Sequence, residues 1–238
     1  MSSANQTPDK KSTIKENKEP PKDRIEEKTI TLADESTYTG RLVNGKRDGK
    51  GICIWPDGSK YEGEWKNDAY NGQGVFGTLQ GLSMEGNWVN NKLNGKGKFS
   101  SGNGEVIEGD FVDGLPHGKG KQTMMDGRTY EGDFVKGVKE GNGIVTWPDG
   151  KRYEGEFKND DFNGFGTLHS KGKSKYTGQF KDGKKHGEGV YTWKDGRAYK
   201  GPFENGKQHG IGIYETKSAK RKGKWEHGKR VAWISEES

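Results

Sequence analysis

The chain has 238 residues and a net charge of +6, yet only 26% of it is apolar and its mean hydropathy is −1.17. This excludes a thick aliphatic core, and no apolar run approaches the ~20 residues that a membrane-spanning helix needs. Seven Trp, nine Tyr and nine Phe argue against the disorder such a hydropathy implies, because large rings bury much area per residue.

Residues 1–28 are polar and charge-mixed, with Pro8, Pro20 and Pro21, and read as a flexible tail without the apolar core of a signal peptide. Residues 29–37 read as a degenerate capping strand, because Ile30 and Leu32 fall on slots that Cys53 and Trp55 hold one period later. That period then governs the chain. Tyr38, Tyr61, Met84, Ile107, Tyr130, Tyr153, Tyr176 and Tyr199 each stand 23 residues after the last, and each leads a bulky-x-Gly-x-bulky pattern. Residues 38–220 are therefore eight repeats, each too small to bury its apolar face except against its neighbours. Arg221 opens a half-repeat one residue early, and residues 221–238 close the array, with Trp225 and residues 231–234 expected to cap the last hairpin or else to serve as a docking strand.

Within a unit such as Tyr61-Glu62-Gly63-Glu64-Trp65, Tyr61, Gly63 and Trp65 share one face of a strand and the glutamates share the other. A turn with a left-handed position follows at Gly45, Asp68, Asn91 and their equivalents, and a return strand opens with Gly-x-Gly, as at Gly49 and Gly51. A second turn ends the unit, as in Pro56-Asp57-Gly58. With two turns per unit and no room for a helix, the expected fold is all-β: an elongated, single-layer antiparallel β-meander of about eight and a half tandem hairpins, roughly 80 Å long.

Cys53 is the only cysteine, so no disulfide framework forms within the chain, and its apolar slot makes packing its expected role. A cytosolic, nuclear or cytoskeletal address follows. The charge is concentrated late: residues 151–238 hold twenty Lys and Arg against twelve Asp and Glu. Lys217, Lys220, Arg221, Lys222, Lys224, Lys229 and Arg230 form a candidate basic patch for anionic lipid, nucleic acid or an acidic protein tail, or else a solvated end.

No constellation of residues points to catalysis. Residues 118–123 lack the spacing of a phosphate loop, their glycines recur in every unit, and no kinase signature is present. His117, His186 and His209 share one slot of the repeat, about 10 Å apart on adjacent units, too far to share a zinc, and are expected to anchor turns. No catalytic residue, metal or cofactor is expected. The aromatic and basic residues accompany no strand motif of an RNA-binding domain, which argues against nucleic acid.

Tyr176-Thr177-Gly178-Gln179-Phe180, with His186-Gly187-Glu188-Gly189 and Asp195-Gly196, resembles the MORN repeat, and the likeness extends over residues 38 to about 230. That resemblance implies single-sheet hairpin arrays serving as interaction modules, as in axonemal radial-spoke head proteins, junctional membrane proteins, and amino-terminal extensions of lipid kinases and lysine methyltransferases. A repeat-only chain ending in Gly223-Lys224-Trp225-Glu226-His227-Gly228 is most similar to the radial-spoke head class, which implies an axonemal address in a cilium or flagellum.

The expected function is a non-catalytic scaffold binding other proteins, with an anionic-phospholipid module or an accessory subunit of a lipid kinase or other enzyme as alternatives. The candidate partner-binding aromatic face comprises Trp55, Tyr61, Trp65, Trp88, Tyr130, Trp147, Tyr153, Phe157, Tyr176, Tyr191, Trp193 and Tyr199. Units three and four depart from the pattern, with Met84 and Ile107 in place of Tyr and with Lys98, Lys121 and Gln122 on the return strands. The expectation there is a weak joint, a place where a partner supplies missing contacts, or neutral drift.

Overall fold

A computed structural model of the chain describes residues 23–235, and its regular structure there is β-strand throughout. The strands form one open antiparallel sheet in which each pairs with the next along the chain, except that Lys207–Gln208 and Gly210–Glu215, one return strand interrupted at His209, both pair with Ala198–Glu204. Unit six shows the plan. Its leading strand, Arg152–Lys158, pairs with its return strand, Asp161–His169, so that Tyr153 faces Leu168, Gly155 faces Gly166 and Phe157 faces Phe162.

The hairpin tip is Asn159-Asp160, with φ of 48° and 69°. Two consecutive positive φ values are the mark of a type I′ turn, whose twist matches that of the flanking strands. The sequence pointed to one left-handed slot per tip. The structure has two, and Asn44, Asn67, Asn90 and Asn205 fill the earlier one at their own tips. Each tip is also tied to the preceding unit: the Asp160 amide donates to the Lys139 carbonyl at 3.1 Å, and the Lys139 amide donates to the Asp160 carboxylate at 3.0 Å.

Pairing shifts register between Gly155 and Phe157, and Glu156 lies in the resulting bulge. The Tyr153 ring crosses the glycine pair and donates its hydroxyl to the Glu156 carbonyl at 2.9 Å. Tyr38, Tyr61, Tyr130, Tyr176 and Tyr199 do the same for the third residue after each. The leading tyrosine thus satisfies an acceptor that the bulge takes out of the ladder.

The first strand, Ile25–Thr31, begins inside the segment expected to be tail, and its Ile30 pairs with Tyr38 just as Cys53 pairs with Tyr61. The flexible-tail expectation otherwise concerns residues 1–22, which lie outside the described residues. At the other end, Trp225 is buried on Tyr199, and Lys229–Trp233 pairs with Lys220–Glu226 to close the last hairpin.

The core lies on one face and falls into two clusters, one from Tyr38 to Phe111 and one from Tyr130 to Trp225. The break coincides with Gln122, which takes a slot held elsewhere by Cys53, Val145 or Tyr191. Its amide donates to Glu105 at 2.7 Å, and its buried carbonyl oxygen has no partner. Cys53 itself is fully buried in the first cluster.

Candidate functional site

The alternation of each strand gives the sheet two unlike faces. On the first, leading rings interlock from unit to unit: Tyr38 meets Trp65 edge-on at 5.5 Å, Tyr130 meets Phe157 at 5.0 Å, and Tyr176 meets Phe203 at 4.8 Å. The Trp65 and Trp88 indoles donate to the carbonyls of Gly51 and Gly74 in the units before them. A lid covers the tyrosines from the start of the return strand. Tyr70 stacks on Tyr61 and Phe162 on Tyr153, each at 3.8 Å, while Arg47, Lys139 and Lys185 lie over Tyr38, Tyr130 and Tyr176. Burial holds the Lys185 ammonium below the usual lysine range. This lid slot, two residues past the tip, was missed in the sequence because its chemistry alternates between ring and cation.

The expectation of an aromatic docking face is therefore corrected. Tyr61, Trp65, Trp88, Tyr130, Tyr153, Phe157, Tyr176 and Tyr199 are core residues, all at most 3% exposed. Trp55, Trp147, Tyr191 and Trp193 are half-buried. The three tryptophans line the second-turn edge, where Lys151 lies over Trp147 at 4.2 Å, and Tyr191 sits between Tyr176 and Tyr199 with Lys185 over it at 4.6 Å. A one-layer sheet has no other way to dry its apolar side than to roof it with its own rings.

Burial also raises the hydroxyl pKa of all six leading tyrosines, to about 12 at Tyr38 and Tyr199, from an ordinary value of 10.0. A folded pKa above the unfolded one means stability that is complete below pH 10 and lost as pH rises through 12. Alkaline titration followed by tyrosinate absorbance and circular dichroism should show the buried tyrosines ionising together with loss of the sheet. Ionisation near pH 10 with the sheet intact would contradict their burial.

The second face carries charged and small side chains on either side of a row of glycines that runs from Gly40 to Gly223 and is matched strand to strand along most of its length. These glycines floor a recess. Its middle stretch, about 870 Å³, is walled by Glu108, Lys119, Lys121, Glu131 and Glu154. The departures at Lys98 and Lys121 belong here, in the cross-strand row Glu85, Lys98, Glu108, Lys121, Glu131. Lys98 meets Glu108 at 2.8 Å, which raises the lysine pKa and lowers the carboxylate's. Along the parallel row, Lys96 meets Asp110 at 2.8 Å and Lys119 meets Asp133 at 2.7 Å.

The basic patch is divided by the same alternation. Lys220, Lys222 and Lys224 lie on the charged face, where Lys220 pairs with Glu215 and Lys224 with Glu226. Arg221 and Arg230 lie on the aromatic face, over Trp233 at 5.6 and 4.1 Å. Lys217 sits between strands, past the return strand Gly210–Glu215, and Lys229 opens the last strand. Of the histidines in the shared slot, His117 accepts the Lys136 amide at 3.5 Å, which anchors a turn, and His209 approaches Glu204 at 3.5 Å. Among the described residues, no three His, Cys, Asp or Glu side chains gather as a metal site.

The family model of the MORN repeat matches residues 38–60, 61–77, 85–106, 108–127, 130–152, 153–174, 176–196 and 199–218. No curated protein matches the chain. Among solved structures it is similar to the TCP domain of SAS-4 (dCPAP) of Drosophila melanogaster, in complex with a proline-rich motif of Ana2 (dSTIL). The identity is 11%, over 92% of this chain and 96% of that one, with a TM-score of 0.38. It is also similar to a catalytically inactive virginiamycin B lyase from Staphylococcus aureus with quinupristin, at 11% identity over 89% of this chain and 88% of that one, with a TM-score of 0.19.

Proposed function

The chain belongs to the MORN-repeat family, and from that premise we propose that it is a non-catalytic scaffold that holds a partner polypeptide in the glycine-floored recess of its charged face. Repeats of this family serve protein–protein and lipid interactions. One observation carries the choice between these: the leading rings of the repeats are used up in the core, and the opposite face offers a recess whose floor repeats and whose walls do not. A repeating floor lets an extended chain approach the backbone closely, and varied walls can select its side chains. An axonemal setting is part of the proposal and rests on the resemblance of these repeats and of the half-unit Gly223-Lys224-Trp225-Glu226-His227-Gly228 to radial-spoke head proteins. Positioning an enzyme would use the same surface.

A lipid module is disfavoured because the basic residues are divided between the two faces and a planar membrane meets one of them at a time. Each near-surface cation is worth only ~1 kcal/mol to anionic-lipid binding. Proximity labelling in ciliated cells, paired with flotation on anionic vesicles at physiological salt, tests the reading. Reproducible protein neighbours among cytoskeletal components, with little vesicle binding, are expected. Strong, salt-insensitive vesicle binding with no protein neighbour would overturn it.

A further inference from the structure

The walls of the recess change character along the array. In the row on the tip side of the glycines, most units place polar residues such as Lys50, Lys96 and Lys119, but unit six places Phe165 and unit eight Ile211. On the other side of the glycines, Val190 and Ile213 complete an apolar stretch. Phe165, Ile211 and Ile213 are 58%, 53% and 43% exposed. The recess they line holds about 560 Å³, within the range of a specific binding pocket.

Its rim is of mixed charge, with Glu188 midway between the two apolar ends and lysines at the carboxyl-terminal end. Lys200 and Lys222 stand beside Ile213 in the cross-strand row; Lys200 is bound to Glu215 at 2.7 Å, and Lys222 is in no ion pair among the described residues. Phe165 and Ile211 lie four strands apart, a span of about 19 Å at ~4.8 Å per strand, which an extended chain covers in about six residues at ~3.3 Å each.

Resting on the scaffold reading above, we propose that this carboxyl-terminal stretch of the recess docks an extended peptide segment whose apolar anchors lie about six residues apart, the second followed by a carboxylate. One anchor packs on Phe165 and the other on Ile211 and Ile213; a carboxylate just past the second anchor meets Lys222, one strand beyond Ile211, while the residues between the anchors pass Glu188 and are not acidic. A membrane is the weaker occupant. The apolar side chains flank a trough whose wall also carries Glu188, which repels an anionic bilayer.

The test is selection of a random 12-residue peptide library on the full chain, followed by affinity measurement with the enriched synthetic peptides. Enriched peptides should carry two apolar residues about six apart, with an Asp or Glu just past one of them and none between. Phe165→Asp and Ile211→Asp should each weaken binding at least tenfold, with melting temperatures near the parent's because both sites are exposed. Lys222→Glu, which alters no packing, should weaken acidic peptides about tenfold and leave their Asn/Gln counterparts nearly unchanged.

Enriched peptides that lack acidic residues, or that bind all three variants as well as the parent, would overturn the proposal. So would anionic vesicles that bind the parent and lose it in the same variants. The scaffold reading fails separately: cellular neighbours that persist in Phe165→Asp and Ile211→Asp sink this site alone, whereas the absence of any protein neighbour of the parent sinks the scaffold.

Discussion

Phe157→Ala is expected to cost about 3–5 kcal/mol, the range for deleting a ring from a packed core. Phe157 is 3% exposed and meets Tyr130 of the unit before at 5.0 Å, and Tyr153 and Phe162 of its own unit at 5.3 and 5.4 Å. Removing it unroofs two tyrosines at once, and no second layer can settle into the gap. The loss should stay local, because each unit contacts only its neighbours. Hydrogen exchange should therefore quicken over units five to seven while strands Thr37–Val43 and Lys46–Ile54 keep their protection. A uniform rise across all strands would contradict the array.

Gly155→Ala is expected to be nearly as damaging, although it adds a single methyl group. A Cβ there would lie 2.5 Å from the Gly166 Cα, 2.5 Å from the Phe165 carbonyl oxygen and 2.7 Å from the Tyr153 hydroxyl. The first two obstacles are backbone and cannot rotate away, so the strands must part. The expected cost is at or above the upper end of the roughly 1–3 kcal/mol typical of overpacking. Gly150→Ala is the control: its Cβ would meet nothing within 4 Å, and its φ of +85° leaves only a left-handed penalty of about 1–2 kcal/mol. Thermal or urea melts of the two variants compare them directly. Equal, small losses would show that the glycine row does not set the strand spacing.

Much of this was legible in the sequence because the period is strict. Tyr at the leading position, Gly two residues later and a tip three residues after the second ring sufficed to assign strands, turns and meander order, since alternation and positive-φ tolerance are local properties. The first strand began earlier than read because Ile25-Glu26-Glu27-Lys28 has a tail's composition and becomes strand by pairing with residues 40–43. The tip glycines marked one left-handed residue and hid the second, because Asn, Asp, Lys and His all occupy it.

The sequence by itself determined that this chain is a one-layer array of MORN hairpins with the leading rings on one face and the glutamates that flank their glycines on the other, because a two-residue strand period and a 23-residue repeat leave no other arrangement. Which face is open was decided only by the tertiary structure. Tyr153 looked like a docking residue until its ring was placed over Gly166, roofed by Phe162 and edged by Phe180 of the next unit. The basic run 220–224 looked continuous until the pleat sent Arg221 to the opposite side from Lys220, Lys222 and Lys224. Burial is a relation between units, and no single repeat carries it.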